Sequence, residues 1–235
     1  MTAAAENPLV LVEDVTKIYH RGAPDEVRAI RGISMTVSRG EVLVLEGPSG
    51  SGKTSLLTII GCMSRPTSGQ VLVGDRRVSR LSETALTSVR RSTFGFIFQQ
   101  LHLIPDLSVK DNVMLPLYPT GMPVAEMDER VDRVLSAMRL EHRRTARAGR
   151  ISGGEQQRTA IARALVTEPT IVIADEPTAH LDSELSAELL KILAELNGAG
   201  TTIIIATHDP RVMEHTVVSR RLVVRDGLIV EEAQP

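Results

Sequence analysis

At 235 residues the chain is long enough for one large domain, or one domain carrying an inserted lobe. Its formal net charge of −2 supplies no global pull toward nucleic acid or any other polyanion. Aromatic residues make up 2% against 42% hydrophobic residues, so the core must be built from Leu, Ile, Val, Ala and Met.

The first residues, MTAAAENP, lack both a basic n-region and an apolar h-region, so no signal peptide is expected. The apolar runs are short, far from the roughly 18–20 residues of a spanning helix. The single Cys62 cannot pair within the chain, which fits a reducing compartment. A soluble, cytoplasmic chain is expected.

LVLVEDV (9–15) reads as a strand, and ISMTVS (33–38) alternates with period two, as a half-buried strand does. EVLVLEG (41–47) is nearly continuous in apolar residues, the pattern of a strand buried on both faces. It runs into GPSGSGKT, which fits G-x-x-x-x-G-K-[ST] at Gly47, Gly52, Lys53 and Thr54, and a short apolar helix, SLLTII, follows. In such a loop the glycines let successive N–H groups face phosphate, and the helix start adds partial positive charge. Lys53 is expected on the β- and γ-phosphates and the Thr54 hydroxyl on Mg²⁺.

FGFIF (94–98) is a further strand, with Gln99 directly behind it. Prolines at 105, 116, 119 and 123 then break the chain into loops and short helices. Met127, Val131, Val134, Leu135 and Met138 form an amphipathic stripe. Arg139, Arg143, Arg144, Arg147 and Arg150 read as a solvated helix end and loop in preference to a lipid or partner surface. Residues from about 100 to 168 thus look like a mainly helical insertion.

Within it, ISGGEQQR poses a question. Ser152 and Glu155 make an S-x-x-E capping box for the helix EQQRTAIARALV. Gly153 and Gly154 weaken a helix start unless something must approach the backbone closely. A second anion site beside an existing phosphate loop points to a nucleotide held by another copy of the chain.

Strand and helix then alternate again. IVIAD (171–175) ends in two acids: Asp175 suits Mg²⁺ and Glu176 suits polarisation of the attacking water. Repulsion between them should raise one pKa. Leu185, Leu189, Ile192, Leu193 and Leu196 mark a helix ending near Gly198. TIIIAT (202–207) is a buried strand that places His208 at its end, where ligands bind in open α/β sheets. RLVVRDGLIVEE closes as a hairpin turning at Asp226-Gly227. Buried strands alternating with helices predict a mostly parallel sheet covered on both faces.

The ordered set GPSGSGKT, FQQLHLIP, ISGGEQQR, IVIADEP, HLD and ATHD resembles an ATP-binding cassette ATPase, over essentially the whole chain. That resemblance implies one α/β domain spanning 1–235: a P-loop NTPase core at about 1–98 and 169–235 with an N-terminal antiparallel β subdomain, and an inserted helical subdomain at about 99–168. It implies two such domains sandwiching two ATP molecules head to tail. Tyr19 would stack on adenine. Gly47, Pro48, Ser49, Gly50, Ser51, Gly52, Lys53, Thr54 and Ser55 would hold the phosphates. Ser152, Gly153, Gly154 and Glu155 would meet the partner's nucleotide, with Asp182 in the loop crossing the interface. Glu176 would be the general base, His208 the γ-phosphate switch, and Gln99 a sensor of Mg²⁺ and water.

Three departures from the family pattern stand out: Ile151 for Leu, Glu155 for the commoner Gln, and His180 where a small residue is usual. VRAIRGISMTV, RPTSGQV and ADEPTAHLD look closest to the lipoprotein-releasing and macrolide-exporter group. The expected partner is a separate transmembrane permease that holds the ATPase on the inner face of the membrane, with no nucleic acid. The alternative is a non-transport ATPase of the cell-division type, regulating cell-wall hydrolases through a membrane protein.

Overall fold

The computed structural model describes residues 7–179 and 181–233; His180 lies outside the described residues. Two sheets organise the chain. The first is antiparallel and built from β1 (Val10–Tyr19), β2 (Val27–Val37), β4 (Ser68–Val73) and β5 (Arg76–Arg77), in the order β2-β1-β4-β5. The second has β3 (Val42–Glu46), β6 (Phe94–Ile97), β7 (Ile171–Asp175), β8 (Thr202–Thr207), β9 (Arg220–Arg225) and β10 (Leu228–Ala233), in the order β10-β9-β3-β8-β7-β6. Its pairs are parallel except the β9–β10 hairpin at one edge.

The unbroken apolar runs of the central strands follow from their position between two cores. Leu43, Leu45, Ile171, Ile173, Ile204 and Ala206 enter the core shared with the antiparallel sheet. Their chain neighbours Val42, Val44, Val172, Ala174, Ile203 and Ile205 enter the core on the opposite face. With side chains alternating along a strand, only an all-apolar sequence satisfies both.

On the first side lie α1 (Lys53–Ile60) and α2 (Glu83–Thr93). Between β6 and β7 come α3 (Val109–Met114), α4 (Val124–Ala137) and α5 (Gly153–Leu165), and α6 (Ser183–Gly198) and the short α7 (Pro210–Met213) complete the second side. The α4 stripe buries Met127, Val131, Leu135 and Met138 in that core, with Val134 partly buried against it. Ser108, Ser152 and Asp182 cap α3, α5 and α6 through side-chain oxygens, each satisfying an otherwise orphaned N–H.

The irregular stretch before α3 is held from two sides. Asn112 is fully buried; its Oδ1 accepts from Ile104 N at 2.8 Å, and its Nδ2 donates to Ile104 O and Ser108 O at 3.0 Å each. From α5, Arg163 donates to Leu101 O at 2.5 Å and His102 O at 2.7 Å. In the basic cluster, Arg143 pairs with Glu155, Arg144 with Asp132, and Arg147 with Asp106. Much of that charge is therefore answered within the chain.

Candidate active site

The phosphate loop joins β3 to α1, and two of its glycines have no substitute. Gly52 caps α1 at φ 107°, and a Cβ there would sit 2.4 Å from Ala29 O. Gly47, at φ 153°, would place one 2.1 Å from Val224 O. Lys53 is buried, and its ammonium donates to Gly47 O at 2.6 Å and Pro48 O at 3.1 Å.

At the carboxyl end of β7 the acids diverge. Asp175 Oδ2 accepts from the Thr54 hydroxyl at 2.9 Å, while its Oδ1 is buried with no protein partner. Its carboxyl is held above the ordinary range. Burial is the chief cause; the Thr54 hydrogen bond offsets part of it, the charge of Glu176 adds to it, and Lys53 opposes it. Repulsion between the acids is thus real but secondary. An orphaned carboxylate oxygen beside a Thr hydroxyl suits a hard cation that takes few protein ligands, and Mg²⁺ fits that donor set.

Glu176 has φ 45°, a left-handed conformation that is costly for a residue with a side chain. Its N–H donates to Ala206 O at 2.8 Å on β8. Thr207 Oγ1 donates to its Oε2 at 3.0 Å, and the His208 ring nitrogen Nδ1 lies 2.8 Å from its Oε1. Lys53 Nζ is 3.9 Å from that same oxygen. The next strand over therefore fixes a strained carboxylate at the mouth of the loop.

Lys53, Thr54, Asp175 and Glu176 line one cleft of about 740 Å³, within the range of small-ligand sites, whereas Gly47, Pro48, Thr207 and His208 do not border it. Tyr19, Ser49 to Ser55, Gln99, Asp175 and Glu176 all border it. Lys17 Nζ lies 4.9 Å from the Tyr19 ring centroid, and the Tyr19 hydroxyl is 3.3 Å from Ser55 Oγ. Sequence reasoning missed Glu26, Val27, Arg28, Ala29 and Arg31 of the β2 region, and it placed the Asp226-Gly227 turn without seeing that it borders the cleft. Gly227 N donates to Ser51 O at 2.9 Å, and Arg31 N to Gly227 O at 2.9 Å. Only tertiary packing brings those segments to the loop. Thr207 was missed too, although its place directly before His208 at a strand end was a usable signal.

Ser152, Gly153, Gly154, Glu155 and Asp182 do not border this cleft. The predicted capping box forms: Glu155 N donates to Ser152 Oγ at 3.3 Å and Ser152 N to Glu155 Oε2 at 2.8 Å. The two glycines have different reasons. A Cβ on Gly154 would meet Leu185 Cδ2 of α6 at 2.8 Å, so its close neighbour is its own chain. A Cβ on Gly153 would meet nothing within 4 Å.

The loop between β7 and α6 is tied to the His208 segment. Thr178 Oγ1 donates to Asp209 Oδ2 at 2.7 Å, and Arg211 Nη2 donates to the same oxygen at 2.7 Å. The Arg211 hydrogen bond is the main reason the Asp209 carboxyl sits at about 2. Asp182, at the end of this loop, accepts from Leu185 N at 2.9 Å.

A second, apolar groove of about 480 Å³ lies near α5. All three phenylalanines of the chain line it: Phe94, Phe96 and Phe98 stack along β6 with ring centroids 5.8 Å apart. His102, Pro116, Pro119 and Arg163 line it too, with Met63, Arg90 and Arg91 on the α1 and α2 side.

A family model described as ABC transporter matches residues 30–179. The macrolide export ATP-binding/permease protein MacB of Hyphomonas neptunium is 41% identical over 226 residues, which are 96% of this chain and 35% of that protein. The chain thus spans about a third of that relative. An ABC transporter ATP-binding protein of Thermotoga maritima is 42% identical over 217 residues, 92% of this chain and 91% of that protein. The solved dimer of the bacterial ABC transporter cassette MJ0796 matches with a TM-score of 0.88 at 36% identity, covering 96% of this chain and 98% of that one. A post-hydrolysis dimer of the same cassette, bound to ADP and Pi, matches equally well.

Proposed function

We propose that this chain, a member of the ABC transporter family, is an ATP-hydrolysing cassette, two copies of which close head to tail on two ATP molecules to drive a membrane permease. The observation that carries this reading is the separation of two anion-seeking features. One chain holds a phosphate loop in a cleft and a glycine-rich helix start outside it, with Gly153 toward open space.

In the bound state Tyr19, backed by Lys17, stacks on the base. The N–H groups of residues 47–55 and the Lys53 ammonium hold the phosphates at the start of α1. Asp175 Oδ1, Thr54 Oγ1 and Gln99 would hold Mg²⁺, which would supply positive charge against the phosphates. Glu176 accepts the proton of the attacking water at its carboxylate, oriented by Thr207. His208 moves to the γ-phosphate, and Ser152, Gly153 and Gly154 of the second copy face the same phosphate. Asp182 crosses the interface, and its loop moves with His208 through Thr178 and Asp209.

The core is residues about 1–98 and 169–235, with a helical subdomain at about 99–168. A permease segment seats in the phenylalanine-lined groove and holds the cassette at the inner face of the cell membrane. Among the described residues no helix is long and apolar enough to cross a membrane. The MacB relatives support export over the signalling alternative.

Sedimentation of the Glu176→Gln variant with Mg-ATP tests the sandwich. A dimer that reverts to monomer without nucleotide is expected, and a monomer throughout would refute it. Lys53→Ala should lower turnover by about a hundredfold or more; unchanged turnover would refute the cleft assignment.

A further inference from the structure

The family's signature commonly has an amide where this chain has Glu155. A carboxylate beside a phosphate site is a liability, because like charges about 6–12 Å apart in protein surroundings weaken binding by roughly ten- to a hundredfold. The structure shows how this one is answered.

Glu155 is 8% exposed, and its two oxygens divide their work. Oε2 accepts from both Ser152 N at 2.8 Å and Ser152 Oγ at 2.9 Å. Oε1 accepts from Arg143 Nε at 2.7 Å, with His142 Nε2 at 3.5 Å. The carboxyl is held at about 2, first by the Arg143 hydrogen bond and then by the Ser152 N–H, so it is ionised at neutral pH. Arg143 is not part of the capping box. It reaches in from the separate turn at Glu141–Arg143, between α4 and α5. The α5 cap needs only residues 152 and 155 to form, so the guanidinium adds a counter-charge to Glu155 that the cap itself does not require.

We propose that Arg143 is a positioning residue for the second nucleotide contact: it neutralises Glu155 and fixes that carboxylate against Ser152, so that an acidic signature can still receive the γ-phosphate of ATP held by another copy of the chain. This rests on the sandwich reading above. Glu155 also accepts the Ser152 hydroxyl proton, so Ser152 must redirect that proton to phosphate when the copies close. Arg143 supports this exchange by supplying Glu155 with a donor that stays when Ser152 turns away.

The test is a charge-rescue series in the Glu176→Gln background, measuring the dimerisation constant by sedimentation with Mg-ATP. ATP binding to the dilute monomer is followed in parallel by calorimetry. Arg143→Ala should weaken dimerisation by about tenfold or more while leaving monomer ATP affinity unchanged. Adding Glu155→Gln should restore dimerisation, because a neutral amide still caps α5 and no longer needs a counter-charge. Arg143→Lys should fall between the two, keeping charge but losing the planar donor.

Arg143→Ala dimerising like its parent would overturn the proposal. So would a defect that Glu155→Gln does not relieve, which would mark Arg143 as a packing residue. If the Glu176→Gln parent itself stays monomeric with Mg-ATP, the sandwich reading falls first and this proposal with it.

Discussion

The cleft and the start of α5, the two anion sites of the proposed sandwich, are built on opposite terms. The cleft keeps groups unspent: Ser51 Oγ and Asp175 Oδ1 are buried without partners, and Glu176 is held in a strained conformation. The α5 start is self-sufficient, with Ser152, Glu155 and Arg143 satisfying one another. Orphaned polar atoms and backbone strain are tolerated where a ligand compensates them. A surface that must stay stable until a second molecule arrives cannot afford them. On the proposed reading, the comparison separates a site completed by ligand from one completed by assembly.

The most severe break would come at Asp175. Asp175→Asn should lower Mg-dependent turnover by about a thousandfold. The ligand-free chain should melt no lower than wild type, because the variant removes a carboxylate whose ionised form burial opposes. A sharp fall in Tm would mean the acid is structural.

Glycine substitutions sharpen the contrast at intermediate cost. Gly52→Ala puts a methyl 2.4 Å from Ala29 O at φ 107°, and should destabilise the chain by about 3 kcal/mol in urea melts. Gly153→Ala enters open space on a helix, so stability should change by less than about 1 kcal/mol, toward more stable. Its ATP-driven dimerisation should nevertheless fall. Equal destabilisation by the two would erase the distinction.

Acid dependence at Glu155 is a smaller effect than the Gly52 substitution. Its carboxyl lies at about 2 when folded against an ordinary 4.5, so its contribution is full above about pH 4.5 and is lost as pH falls toward 2. Between pH 6 and pH 3 the wild type should lose about 2 kcal/mol more than Glu155→Gln. Parallel slopes in pH-dependent melts would contradict the assigned pairing with Arg143.

Legibility in the sequence followed how local each signal is. β7 and β8 were readable because a strand buried on both faces has no polar option, and the β9–β10 turn because Asp226-Gly227 marks it. β4 was not readable: Ser68-Gly69-Gln70 precedes only three apolar residues. Nor was α2, which buries just Leu86 and Val89 on a run rich in Thr and Ser. In the site, the phosphate loop and the β7 acids carry chemistry in contiguous residues. Arg28, Arg31 and Gly227 reach the cleft through the packing of two sheets, and Arg143 reaches Glu155 across a gap of twelve residues. No window on the sequence contains such pairs.

The Asn112 staple has a mechanical consequence. Residues 104–108 have almost no regular structure, yet their backbone is pinned by a buried amide, while Arg163 grips the two carbonyls just before them. A load applied there meets little compliance, so it is passed on instead of being dissipated in loop bending. The body that receives it is α5, a rod of thirteen residues and about 20 Å that ends at Ser152. One asparagine on α3 and one arginine on α5 thus tie this irregular stretch to two helices at once.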